Sequence, residues 1–260
     1  MERLSVSVVY FSPTRTSAAI ARAIAAGMGN VAVKEYDITC DAPESIRLDS
    51  DIAIMAVPVY GGRVAETAVE RLKHVSTSVA LAVPVVVYGN RDYEDALLEL
   101  KDIIGEQGFV SLAAAAFIGE HSYSRPEMPI AEGRPDAEDL EKARNFGATI
   151  VAKFAGIKKG KELLPLQVKG NYPYRVKGTS APIAPVVDAE KCLLCGVCVD
   201  LCPVDAITIA GDKISTDPVL CIKCCACVKY CPEDARSFDT PYTAMLHEKC
   251  KLRREPEYFV

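Results

Sequence analysis

The chain has 260 residues, half of them hydrophobic and a quarter charged, with no tryptophan; that is the size and composition of one large or two ordinary globular domains. A formal net charge of −5 argues against a general nucleic-acid binder, and no apolar run approaches the ~20 uncharged residues needed to cross a bilayer. Neither nucleic acid nor a membrane is therefore expected as a partner.

In chain order, Met1–Ser5 runs straight into a strand pattern, and no signal peptide is expected. Leu4 to Phe11, rich in valine and bounded by Ser12-Pro13, reads as a buried strand. Thr16 to Met28 has the apolar spacing of a helix, and glycines 27 and 29 mark its end. Further strands are expected at Val31 to Asp37, Asp51 to Val59, Val79 to Tyr88 and Phe109 to Ile118, with helices at Ala65 to His74, Asp92 to Glu106 and Asp136 to Ala155. Five buried strands alternating with helices predict an α/β fold with a doubly wound, parallel, five-stranded sheet over residues 1–156.

Ligands of such sheets bind beyond the carboxyl ends of the strands. Three polar or glycine-rich loops fall there: Ser12-Pro13-Thr14-Arg15-Thr16-Ser17, Pro58-Val59-Tyr60-Gly61-Gly62-Arg63 and Gly89-Asn90-Arg91-Asp92-Tyr93. The first carries four hydroxyls and an arginine at a helix N-terminus, where free N–H groups attract anions such as a phosphomonoester. Helix capping alone is the alternative use of those hydroxyls. There is neither G-x-G-x-x-G nor G-K-[ST], so dinucleotide and nucleoside-triphosphate sites are not expected. A long polar loop, Gly119 to Arg125, ends the last strand and holds His121, Ser122 and Tyr123.

Charge is uneven: residues 1–155 carry a net −7, 156–187 a net +5 and 188–240 a net −4. The basic segment, taken as a linker over 157–182, is either a solvated connection, an electrostatic clamp or a patch for an acidic partner.

Residues 183–240 hold the most specific signal. Cys192, Cys195, Cys198 and Cys202, followed by Pro203, are repeated as Cys221, Cys224, Cys227 and Cys231, followed by Pro232. C-x₂-C-x₂-C-x₃-C-P is the bacterial ferredoxin spacing, in which the fourth cysteine serves the other of two [4Fe–4S] clusters. Cys192, Cys195, Cys198 and Cys231 are accordingly expected around one cluster, and Cys221, Cys224, Cys227 and Cys202 around the other. A disulfide framework suits small secreted chains, and zinc sites pair two C-x₂-C motifs across a longer spacer; triplets at intervals of three, twice over, fit neither. A small α+β, two-cluster ferredoxin-like domain is expected, stapled by its clusters because it buries little apolar core. Cys40, Cys225 and Cys250 are read as structural, and the tail, 241–260, as a helix docking back on the protein.

The loop Ser12 to Ser17 resembles the flavodoxin phosphate loop, with Ser12, Thr14, Thr16 and Ser17 on its hydroxyl positions and Pro13 and Arg15 where glycines are usual. The second and third loops look like the two flavin-ring loops, with Tyr60 and Tyr93 as the stacking candidates. With the cysteine motifs, about 240 residues resemble the flavodoxin–ferredoxin fusion proteins of anaerobes, often called EFR-type ferredoxins. The resemblance implies FMN and two [4Fe–4S] clusters, a ferredoxin or reductase as redox partner, a small-molecule acceptor as an alternative, a reducing cytoplasm, and a homodimer as one arrangement. It places the loop of Ser122 and Tyr123 near the flavin. His121 is the catalytic candidate, able to protonate a reduced flavin or substrate; a hydrogen-bonded structural histidine is the alternative. Two functions follow. In one, an FMN-dependent electron-transfer protein passes single electrons between clusters and flavin. In the other, a non-catalytic carrier or redox-responsive module holds FMN weakly or not at all.

Overall fold

The structure, a computed structural model, describes residues 3–41, 44–77, 81–158, 162–178 and 181–260. The first part runs β1 (Ser5–Tyr10), α1 (Thr16–Gly27), β2 (Ala32–Asp37), β3 (Ile46–Leu48), β4 (Ile52–Tyr60), β5 (Arg63–Val64), α2 (Glu66–Leu72), β6 (Val75–Thr77), β7 (Leu81–Tyr88), α3 (Ala96–Glu106), β8 (Val110–Ser111), β9 (Ala114–Ile118) and α4 (Ala137–Lys158). The second runs β10 (Val186–Val187), α5 (Val197–Asp200), β11 (Ile207–Ala210), β12 (Lys213–Thr216), α6 (Ala226–Lys229), β13 (Arg236–Ser237), α7 (Thr243–Lys249) and β14 (Glu257–Phe259). The expected strand start at Val79 and parts of the expected linker (159–161, 179–180) lie outside the described residues.

The five expected strands form one parallel sheet in the order β2-β1-β4-β7-β9. Counted along the chain this is 2-1-3-4-5, the flavodoxin-like doubly wound order, whose switch point lies between the first and third strands. Side chains of a strand alternate between faces, and β1 shows it. Val6, Val8 and Tyr10 face a layer containing Ile20 and Ile24 of α1 and Phe146 of α4, while Val9 and the following Phe11 face Leu72 of α2 and Leu97 and Leu100 of α3. The switch point thus opens onto the loops that follow β1 and β4.

One expectation needs correction, and among the readings of the basic segment the electrostatic clamp is the one its ion pairs support. The tail is only partly helical: after α7 it continues as β14, which pairs antiparallel with β9 (Tyr258 opposite Ala115) and closes that edge of the sheet. Tyr258 stacks on Phe146 at 5.2 Å and meets Phe117 edge-on at 5.6 Å. Arg253 pairs with Asp136 at 2.6 Å, and Arg134, bonded to the buried Asp139, donates to Arg254 O at 2.8 Å. Three strand residues among charges leave no periodic pattern to read.

The basic segment, in its turn, is a strap and not a free linker. Lys169 pairs with Asp92 (3.2 Å), Arg175 with Glu94 (2.5 Å) and Lys177 with Glu66 (3.2 Å). The Asp95 carboxylate accepts from the N–H groups of Asn171 and Arg175, and Leu166 and Val168 pack on the core. Lys169 and Arg175 meet the acidic run that opens α3, and Lys177 meets α2.

Candidate functional site

The cysteine module consists of two loop-and-helix units that repeat residue by residue. Helices α5 and α6 start from Gly196 and Cys225, at φ 81° and 59°, and positive φ recurs at the matched pairs Leu194/Lys223 and Asp205/Asp234. Cys202 Sγ accepts from Ala206 N–H and Cys231 Sγ from Ala235 N–H, both at 3.3 Å. Cys202, from the first unit, lines one cavity with Cys221, Cys224 and Cys227 of the second. Cys225 lines the same cavity.

The cavity has apolar walls, among them Pro185, Val204 and Ile207. Burial pushes the Cys224 thiol up to about 12 and Cys227 to about 11. Thiols in such surroundings keep their protons unless a metal replaces them, as iron does, so the donor set and its dry walls fit a cluster. Among the described residues no group of three or more His, Cys, Asp or Glu side chains is gathered to hold a single metal ion. Arg236, buried, donates to Cys198 Sγ at 3.7 Å and to Thr216 Oγ1 at 2.6 Å, a contact of the kind that tunes a cluster's potential.

At the switch point, Ser12 N–H donates to Thr39 Oγ1 (2.8 Å) and Ser12 Oγ accepts from Ala18 N–H (3.1 Å). Arg15 turns the chain at φ 62° into α1, whose first-turn N–H groups have no intrahelical acceptor. Ser17 is fully buried and its Oγ has no hydrogen-bond partner. Thr14 and Thr16 are half-buried beside it. An orphaned hydroxyl at a helix N-terminus fits a phosphate.

The second loop is a hairpin closed by Gly61 and Gly62, at φ 63° and 79°, the handedness tight hairpins prefer. Pro58 O accepts from Ala65 N–H, Val59 packs on the core, and Tyr60 stands at the hairpin's end. Burial holds the Tyr60 phenol well above its ordinary range, and Cys224, Cys225 and Cys221 add to the effect as neighbours. Arg63 turns outward, binding Glu99 through two nitrogens at 2.6 and 2.8 Å and Arg175 O at 2.7 Å; it anchors the strap and does not face the flavin region.

The third loop departs furthest from expectation. Asn90, 3 % exposed, donates to Cys250 O and Leu252 O. Tyr93, 1 % exposed, donates its hydroxyl to Glu257 at 2.7 Å, and Asp92 binds Lys169. Arg91 pairs with Glu94 at 2.6 Å. These residues hold the tail and the strap, and Tyr93 has no open face for a flavin ring. At Gly89 a Cβ would stand 2.3 Å from the His121 ring, so the ring lies directly on this backbone.

His121 is pushed down to about 4, by burial first and then by the Lys229 and Arg91 cations. Its Nδ1 accepts from Tyr123 N–H at 3.0 Å, which leaves the proton of the neutral ring on Nε2. The expected proton donor is therefore a neutral hydrogen-bond donor. Ser122 is half-buried, and the Tyr123 ring meets His121 and Phe238 edge-on at 4.9 and 5.4 Å. Burial raises the Tyr123 phenol to about 12, with Cys225 and Cys221 close by.

The cysteine module is seated on the α/β domain mainly through its second unit, with Pro203 of the first unit also in contact. Tyr230 OH donates to Thr14 O at 3.0 Å, and Arg15 lies 4.5 Å over the Tyr230 ring. Lys229 pairs with Glu120 at 2.6 Å, Arg71 donates to Ile38 O and Pro203 O, and Ile222 packs on the α/β core. Sequence reasoning missed Arg71, Glu120, Tyr230 and Arg236. A signal existed for one of them, because Lys229-Tyr230 stands where the first unit has Asp200-Leu201.

Comparison with known proteins agrees with this division. Residues 185–208 match the model of the 4Fe-4S binding domain family, and no curated protein matches the chain. Among solved structures, a flavodoxin from the domain Archaea matches at 16 % identity, covering 58 % of this chain and 99 % of its own, with a TM-score of 0.40. Oxidised flavodoxin 1 from Bacillus cereus matches at 18 % identity over 57 % and 97 %, with a TM-score of 0.43. A Fusobacterium nucleatum flavodoxin bound to flavin mononucleotide matches at 14 % over 61 % and 99 %, with a TM-score of 0.35. The chain thus joins a flavodoxin-like α/β domain to a ferredoxin-type 4Fe–4S module, a combination that supports a role in electron transfer.

Proposed function

We propose that the chain is a flavo-iron–sulfur protein that moves single electrons between two [4Fe–4S] clusters and an FMN, with a protein or a small molecule as final acceptor. The observation that carries this reading is the seat of the cysteine module on the switch-point loops: Tyr230 OH donates to Thr14 O at 3.0 Å, and Ile222 of the second unit packs on the same core as Tyr60. Cys221, Cys224, Cys227 and Cys202 hold the cluster nearer the α/β domain, and Cys192, Cys195, Cys198 and Cys231 the farther one. Ser12, Thr14, Thr16 and Ser17, with the N–H groups of α1, receive the phosphate; Tyr60, Gly89 and His121 border the ring. When bound, FMN supplies a centre for one or two electrons and each cluster a centre for one. The protein's own work is to seat Tyr230 on Thr14, exclude water around Tyr60 and Tyr123, and present a neutral Nε2–H at His121 to the ring's edge. The compartment is a reducing cytoplasm.

A second reading, a carrier or redox-responsive module with FMN weakly held or absent, draws support from the enclosure of Tyr93 and its bond to Glu257, which removes one of two stacking rings. Iron, sulfide and flavin assays on anaerobically purified protein separate the two. About eight irons, eight sulfides and one FMN per chain support the first reading; about eight irons without flavin replace it with the second.

A further inference from the structure

The two cysteine units are used unequally, and their repeat shows what the free one is for. In the second unit Ile222 packs on the α/β core, Ala226 is 1 % exposed, Lys229 pairs with Glu120 and Tyr230 bonds Thr14. The motif offset of 29 residues places Leu193, Val197, Asp200 and Leu201 at the matching positions of the first unit. There Leu193, 69 % exposed, and Asp200 stand open while Val197 and Leu201 are half-buried; the adjoining Leu194 is 36 % exposed, and Cys195, a motif cysteine, is itself exposed. The charge is reversed too. Where the docked unit offers a lysine to Glu120, the free unit offers Asp200, exposed and with no ion-pair partner among the described residues, and the segment leading into it exposes Glu190 as well. The module as a whole carries a net −4 over 188–240.

We propose that the outward face of the first unit, Leu193, Leu194 and Val197 with Asp200 and Glu190 at its rim, docks a redox protein whose apolar contact is ringed by lysine or arginine. The cluster held by Cys192, Cys195 and Cys198 exchanges electrons across this face. The inference rests on the two-cluster reading above. It uses the same geometry twice: one unit of the repeat faces the domain inside the chain, and its twin faces a partner outside with the opposite charge. An apolar centre gives the contact, and the charged rim gives encounter rate and salt dependence.

Cytochrome c serves as a cationic probe, its haem edge being ringed by lysines. Reduced holoprotein, freed of reductant, is mixed with it anaerobically in a stopped-flow instrument; each ferric haem takes one electron and becomes ferrous as one cluster is oxidised. The second-order rate constant should fall as salt is raised. It should drop roughly tenfold in Asp200→Lys and severalfold in Leu193→Ser. Glu106→Lys, the same charge change on the last turn of α3 at the amino end of the sheet, should leave it nearly unchanged. Cluster potentials measured on each variant correct for altered driving force. Equal slowing by Asp200→Lys and Glu106→Lys, or slowing by neither, overturns the proposal. So does a dimer in sedimentation that Asp200→Lys dissolves, since the face then belongs to a second copy. Iron is counted on the same samples: a wild-type content well below eight fails the two-cluster reading, whereas full iron with equal rates fails the docking face alone.

Discussion

Asn90→Ala tests whether the third loop serves the tail or a cofactor. The side chain makes three hydrogen bonds to the tail, donating to Cys250 O at 2.7 Å and Leu252 O at 2.9 Å and accepting from Arg254 N–H at 3.2 Å. At about 1 kcal/mol net for each, their loss costs roughly 3 kcal/mol. Alanine held at φ 62° adds about 1 kcal/mol, since asparagine tolerates the left-handed region better than alanine does. The tail should then open locally with about 4 kcal/mol less resistance, a near-thousandfold loss of amide protection at residues 257–259. Asn90→Gly, which tolerates the φ, should lose only about a hundredfold. Hydrogen exchange read by mass spectrometry on anaerobic holoprotein measures both. If protection at 257–259 is unchanged while FMN binding weakens, Asn90 faces the cofactor, as the flavodoxin resemblance implied, and the reasoning from the tail contacts is refuted.

Other outcomes follow from the site. Cys202→Ser should leave roughly four of the expected eight irons; adding Cys195→Ser should then strip those, whereas adding Cys224→Ser should not, and the reverse order of dependence would place Cys202 with its own unit. His121, pushed from an ordinary 6.5 to about 4, stays neutral in the folded protein while the unfolded chain takes up a proton. Its contribution is complete above the unfolded value and is lost as pH falls towards the folded one. Lowering pH from about 7 to 5.5 should therefore cost the wild type about 1.4 kcal/mol of resistance to urea that His121→Gln keeps. Parallel pH profiles for the two proteins would show that His121 titrates freely.

Two kinds of information were legible in the sequence to different degrees. The sheet was readable because β1, β4 and β7 are apolar on both faces, and runs such as Val85-Val86-Val87 survive any uncertainty about their ends. The 4Fe–4S module was readable because coordination chemistry fixes motif spacing more tightly than packing does. Asn90 and Tyr93 misled for a physical reason. A polar loop at a strand's carboxyl end looks the same whether its donors face a ligand or a distant piece of chain, and their partners, Cys250, Leu252 and Glu257, lie some 160 residues away. The strap was undecided for the same reason: its lysines and arginines look solvated until the acidic opening of α3 is placed beneath them.

The tail and the strap bear on how the redox site is built. Both leave their own segments and close on the loop Asn90 to Asp95, the tail through Asn90 and Tyr93 and the strap through Asp92, Glu94 and Asp95. The strap precedes the cysteine module and the tail follows it, so the module is held on both sides by segments anchored to one loop of the α/β domain. Its own direct contacts, Tyr230 to Thr14, Lys229 to Glu120 and Arg71 to Pro203, then need only fix orientation, because the two anchors already hold the partners near each other and spare most of the entropy of bringing them together. On the proposed reading, such an arrangement keeps the second unit against the switch-point loops and leaves the first unit's face open to a partner.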